Sequence, residues 1–63
     1  MIGEIIKCHK INSGYKQDYG YCDCNVRQVI TLNGIPTIKV IEQGGSNELL
    51  AWYRNNEWVI DLD

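Results

Sequence analysis

Cys8, His9, Cys22 and Cys24 are the residues of this chain best equipped for chemistry. Three thiolates and one imidazole are the donor set of a Cys₃His zinc site. The spacing speaks against it. Structural zinc sites favour Cys-x₂-Cys knuckles, in which the two intervening residues let both sulfurs turn toward one ion. Cys8 and His9 are adjacent, so on a strand they point to opposite faces. Cys22 and Cys24 share a face, but a straight strand holds their Cβ atoms about 7 Å apart. A disulfide is easier to build. If the loop around Tyr15 and Lys16 joins two strands, Cys8 lies opposite positions 22 to 24 and can reach either one. The expected state is three reduced thiols acting as small apolar side chains, with no metal and no cofactor.

His9 has the right chemistry for a general base, but no triad partner is visible in the sequence, and a surface histidine is expected. Asp61 and Asp63 lie two apart on one strand face. That spacing suits a paired-acid site, yet residues this close to a frayed end are expected to be solvated. Gly44-Gly45-Ser46 is followed by no lysine and opens no helix, so it is not a phosphate loop. A chain of 63 residues has little scaffold with which to pre-organise catalysis. No catalytic residue is assigned, and a non-enzymatic protein is expected.

The aromatic residues carry more. Tyr15, Tyr19 and Tyr21 fall in or beside one loop, interleaved with Lys16, Asp18 and Asp23. Tyrosine offers large contact area at low entropic cost, which is why interfaces are rich in it. Such rings could also cap an open barrel end. The last fifteen residues read as a hairpin with Asn55-Asn56 as a two-residue turn. Arg54 then faces Glu57, Tyr53 faces Trp58, Ala51 faces Ile60 and Leu49 faces Leu62. One face is apolar throughout, because side chains alternate with period two. The other carries Trp52, Leu50 and Val59 beside Asp61. A tryptophan there either packs under the Gln43–Asn47 loop or against the first strand, or serves as an anchor for a partner. The expected partner-binding residues are Trp52, Leu50, Val59, Tyr15, Tyr19, Tyr21, Asp18 and Asp61.

These residues need elements to hold them, and the elements read as β throughout. The β-branched density of Ile2, Ile5 and Ile6 favours a first strand over Ile2–Ile11. Residues 12–20 read as a polar loop. From Tyr21 to Leu32, Cys22, Cys24, Val26, Ile30 and Leu32 share one parity, broken only by Gln28, so the even face is expected inward. Asn33-Gly34 is a strong hairpin signal. A three-residue loop, Leu32-Asn33-Gly34, is preferred, because it pairs Ile30 with Pro36, Gln28 with Ile38 and Val26 with Val40. Pro36 lacks an amide hydrogen and marks a sheet edge or a bulge. Residues 38–41 complete a third strand, Gln43–Asn47 a loop, and 48–54 with 57–62 the terminal hairpin. Five consecutive short strands predict an antiparallel meander curled into an SH3-like or OB-like barrel. The alternative is an open curved sheet completed by homodimerisation.

The chain is too short for more than one domain. Net charge is −2, and it is uneven: residues 1–32 are slightly basic, whereas 33–63 set Lys39 and Arg54 against Glu42, Glu48, Glu57, Asp61 and Asp63. No cationic cluster of the kind that binds a phosphate backbone is present. No apolar run is long enough to span a membrane, and the start at Met1 suggests an unprocessed cytoplasmic polypeptide. Ile2 excludes N-myristoylation. In profile the chain resembles small phage-encoded inhibitors of host defence, anti-CRISPR proteins included, although no motif carries that likeness. The expectation is a protein-binding module, possessed of an aromatic and acidic patch that covers a partner's working surface. A nucleic-acid-binding barrel, with tyrosines stacking bases, and a metal- or small-ligand-binding domain are the alternatives.

Overall fold

The computed structural model describes all 63 residues. It contains five strands and no helix: β1 (Ile5–Asn12), β2 (Gln17–Leu32), β3 (Ile35–Glu42), β4 (Glu48–Arg54) and β5 (Glu57–Asp61). Each strand pairs with the next, and β5 closes on β1, so the sheet is a barrel in simple chain order. Four antiparallel steps return the fifth strand to the direction of the first. The closing β1–β5 pair is therefore parallel, with Cys8 beside Trp58 and His9 beside Val59. The expected small barrel is the observed one. The open sheet does not form, because β5 supplies the edge that β1 would otherwise leave bare.

The interior is narrow and filled by modest side chains. Cys8, Cys24, Val26, Ile38, Val40, Ala51 and Ile60 form one buried cluster, flanked by Ile6, Cys22, Leu49 and Trp58. At one end, Lys10 follows Cys8 on the inward parity of β1 and ends in an ion pair with Glu42, 2.8 Å long. Near the other end, Tyr53 meets Trp58 edge to face, with ring centroids 5.1 Å apart.

Both tight turns use left-handed residues, as two-residue hairpins require. Asn55 and Asn56 adopt φ of 51° and 63°, and Arg54 faces Glu57 as expected. Asn33 and Gly34 adopt 52° and 78°. Here the expected three-residue loop is corrected. Leu32 pairs with Ile35, so the turn has two residues, yet Val26 still faces Val40. The extra residue sits at Arg27, as a bulge between Val26 and Gln28. A strand of 16 residues that lines both halves of a small barrel has to bend, and a bulge mid-strand supplies that bend.

The bulge reverses the facing of everything after it. Val29 and Thr31 align with inward Ile38 and with Pro36, whereas Ile30 and Leu32 align with Thr37 and Ile35 on the outside. The expected even inward face of β2 therefore holds only as far as Val26. Three boundaries also differ. Met1–Glu4 forms a turn, which the Gly3 and Val26 amides tie to β2 at 2.8 and 2.9 Å. β2 begins at Gln17, and its first bend lies opposite Lys10, where Gly20 takes φ 79°. β5 ends at Asp61, and Leu62 then donates its amide hydrogen to Ile11, 2.8 Å away.

Candidate functional site

An outward row of side chains runs around the barrel: Tyr21 on β2, His9 on β1, Val59 on β5, Trp52 on β4, Thr37 on β3 and Ile30 on the far half of β2. Its two ends differ in chemistry.

At the first end His9 is held between two carboxylates. Nδ1–H donates to Glu57 Oε2 and Nε2–H to Asp18 Oδ1, each at 2.8 Å. The ring stacks on Tyr21 with centroids 4.5 Å apart and planes 19° from parallel. The Tyr21 hydroxyl donates to the other Glu57 oxygen at 2.6 Å. Asp18 Oδ1 also accepts the Gly20 amide at 2.8 Å, across the first bend of β2. One imidazole thus clasps β1, β2 and β5 together. Glu57 first, then Asp18, raises the His9 pKa. The Gly20 amide and then His9 lower that of Asp18, and Tyr21 and then His9 lower that of Glu57. The favoured state is an imidazolium between two carboxylates. Neither nitrogen then keeps a lone pair for a metal or a substrate proton.

From its sequence context, His9 is expected to be a plain surface histidine. The His9 side chain is only 18% exposed, and its partners come from positions 9, 12 and 48 residues away. The hairpin that sets His9 beside Tyr21 was foreseeable. The parallel β1–β5 closure that brings Glu57 was not.

The zinc set does not assemble, because His9 projects from the barrel while Cys8, Cys22 and Cys24 turn inward. Cys8 faces Cys22 across the ladder, Cys22 Sγ lies 3.7 Å from Cys24 Sγ, and all three thiols are free. Burial pushes the Cys8 and Cys24 thiols up, which keeps them in the protonated, unreactive form. Asp61 and Asp63 do not form an acid pair. Asp61 accepts the Ser13 and Asp63 amides at 3.0 Å each, while the Asp63 carboxylate sits against Gly14.

At the second end the row is apolar. Trp52 lies outside the barrel, between Thr37 and Val59 in register. It does not line the cleft of the Gln43–Asn47 loop, and β4 pairs with β3 and β5, not with β1. That loop lines a separate polar cleft of about 470 Å³ with Lys10, Glu42, Leu49 and Leu62. Trp52 instead walls a cleft of about 240 Å³ with Leu32, Asn33, Ile35 and Thr37. Leu32 is 44% exposed, Ile35 50% and Leu50 37%. Val59, expected at a contact surface, is 2% exposed. It is flanked by His9 and Trp52 and serves to support them, out of a partner's reach. Leu32 was missed because the expected even inward face of β2 included it, and Ile35 was assigned to no face.

Tyr15, Tyr19 and Tyr21 all stay exposed. Tyr19 donates to the Gln17 side chain at 2.6 Å. Tyr21 is stacked on His9, with Glu57 and Asp18 bonded beside it.

No helix is long and apolar enough to cross a membrane. No protein-family model matches the chain, and neither curated proteins nor solved structures give a match.

Proposed function

We propose that this chain is a non-enzymatic protein-binding module that meets its partner through the apolar cleft around Trp52. One observation carries the reading: exposed Leu32 and Ile35 line one cleft with a half-buried tryptophan, and exposed Leu50 lies two residues before that tryptophan on β4. An apolar cleft walled by an indole is the composition of an interface anchor. The supporting geometry is rigid. Thr37 and Val59 flank Trp52 and are themselves buried, so the ring is held in place before a partner arrives. The acidic second half of the chain would steer encounter toward a basic target. In this reading the protein acts by covering a working surface of another protein, as an inhibitor does.

The test is affinity capture from nuclease-treated lysate of the source cells with the wild type, Trp52→Asp and Ile35→Asp. Ile35 is half exposed, so its variant keeps the fold even if Trp52→Asp does not. A stoichiometric protein retained by the wild type and lost with both variants is expected. A wild type that captures no protein, or a partner retained in full by Ile35→Asp, overturns the reading.

A further inference from the structure

The tip of the β2–β3 hairpin extends past its neighbours on both sides. β1 pairs with β2 only as far as Asn25, and the Gly3 and Glu4 backbone then meets Val26. Nothing pairs with residues 27–32 on that side. On the other side β4 stops at Thr37, leaving Ile35 and Pro36 at an edge.

The hydrogen-bond phase of the ribbon follows from its turn. In a two-residue hairpin the residues flanking the turn exchange both main-chain bonds, and every second pair repeats this. Leu32 with Ile35, Ile30 with Thr37 and Gln28 with Lys39 are then the bonded pairs. Thr31 with Pro36 is an unbonded pair, which agrees with proline's missing amide hydrogen. The main-chain N–H and C=O of Val29 and Thr31 therefore point away from β3, into the open.

The two edges are treated differently. Pro36 removes a donor from the β3 edge, a recognised way to blunt a strand against pairing. The β2 edge has no such protection. It runs Val29-Ile30-Thr31-Leu32, free of charge, with Val29 53% exposed. Such an edge is a template for one more strand.

We propose that the strand it takes is the same edge of a second copy, paired antiparallel about a two-fold axis at Ile30. This register sets Val29 of each copy opposite Thr31 of the other. Each of these two pairs exchanges both of its main-chain bonds, so roughly four hydrogen bonds form and none of the exposed groups is wasted. Moving the axis to Val29 or Thr31 would leave donors facing the bulge or the turn. The two Ile30 side chains meet directly across the axis, as a close unbonded pair. The charges are compatible: Arg27, the one charged residue of the segment, falls opposite Asn33 rather than its own copy. The axis is perpendicular to the sheet, so both Trp52 clefts open on the same side of the dimer. The pairing stands independently of what those clefts bind.

An edge of this length buries less than a standard interface, so self-association is weak, with Kd on the order of 0.1–1 mM. Sedimentation velocity and equilibrium across that range test it. The wild type should shift from monomer to dimer with concentration. Thr31→Pro deletes one exposed donor without touching a bond inside the monomer, so it should keep the wild-type melting temperature at low concentration and stay monomeric at high. Ile30→Lys and Ile30→Glu should each be monomeric, and their equimolar mixture should recover the dimer. A wild type that remains monomeric throughout overturns the proposal. So does a Thr31→Pro variant that dimerises as well as the wild type. If the wild type is monomeric but Thr31→Pro loses a captured protein, the edge takes a strand from another protein and self-pairing is wrong.

Discussion

The His9 end and the Trp52 end of the outer row sit on the same barrel, yet they solve opposite problems. Around His9 each polar group has a partner: two carboxylates, a phenol and an amide answer one imidazole. Around Trp52 the surface is apolar and open. A satisfied network fixes the strands it joins and has little left to offer a ligand. An open apolar cleft does nothing for the isolated chain and gains only when something covers it. The difference separates what holds the barrel closed from what the barrel presents. The residues with the most conspicuous chemistry are engaged within the barrel itself, His9 in hydrogen bonds and the three cysteines in or against the core.

The largest effect is expected beneath both regions. Ile38→Ala removes a fully buried side chain from the shared core and should cost about 2–5 kcal/mol, read from urea unfolding. In so small a domain that is most of the stability. If the loss were below about 1 kcal/mol, the outer row rather than the core would be holding the fold.

Next comes the support between the two ends. Val59→Ala should cost about 1–3 kcal/mol by the same measurement. It should also weaken partner binding, because it loosens the neighbour of Trp52. Unchanged binding would mean that the indole does not depend on its support.

Gly34→Ala is smaller. Its φ of 78° is strained for any residue with a Cβ, although space is open around it, so about 1 kcal/mol is expected.

The His9 clasp should show itself through pH. The His9 pKa is raised on folding, so its contribution is complete below its unfolded value of about 6.5 and is lost as pH rises through the folded value. Asp18 and Glu57 are lowered, so theirs is complete above their unfolded values of about 4 and is lost as pH falls through the folded ones. The melting temperature should therefore plateau from about pH 4.5 to 6.5 and decline on both sides. His9→Gln should abolish the decline just above about pH 6.5, and leave only the later decline, at higher pH, to which the raised Tyr21, Lys10, Cys8 and Cys24 groups contribute. The same decline in the variant would place its origin elsewhere.

Much of this fold is legible in the sequence, and the parts that are not share one cause. Alternation within each strand and the turn chemistry of Asn33-Gly34 and Asn55-Asn56 are local signals, and they predict five strands and a meander. What is hidden is where a strand breaks its own alternation. Arg27 looks like any exposed residue, and nothing in its type marks a bulge. Gln28 did interrupt the parity, but the three-residue loop kept even residues opposite even ones and left Gln28 as an isolated exception. Misplacing that one residue turned Leu32 inward and concealed half of the apolar cleft. The outward facing of Trp52 was legible because the Asn55-Asn56 turn fixes its face. The His9 clasp was illegible because Glu57 reaches it only through barrel closure, a contact between strands far apart in the chain.

The proposed division of labour is that the Trp52 end binds and the His9 end does not. Its most direct test is to measure, for the captured protein, the affinity of the wild type, Ile35→Asp and His9→Gln under one condition, at pH 6. Loss of about 100-fold or more in Ile35→Asp, with His9→Gln within about threefold of the wild type, is the expected result. Binding that survives Ile35→Asp but fails in His9→Gln would contradict it, and would make the histidine and its tyrosine the contact surface.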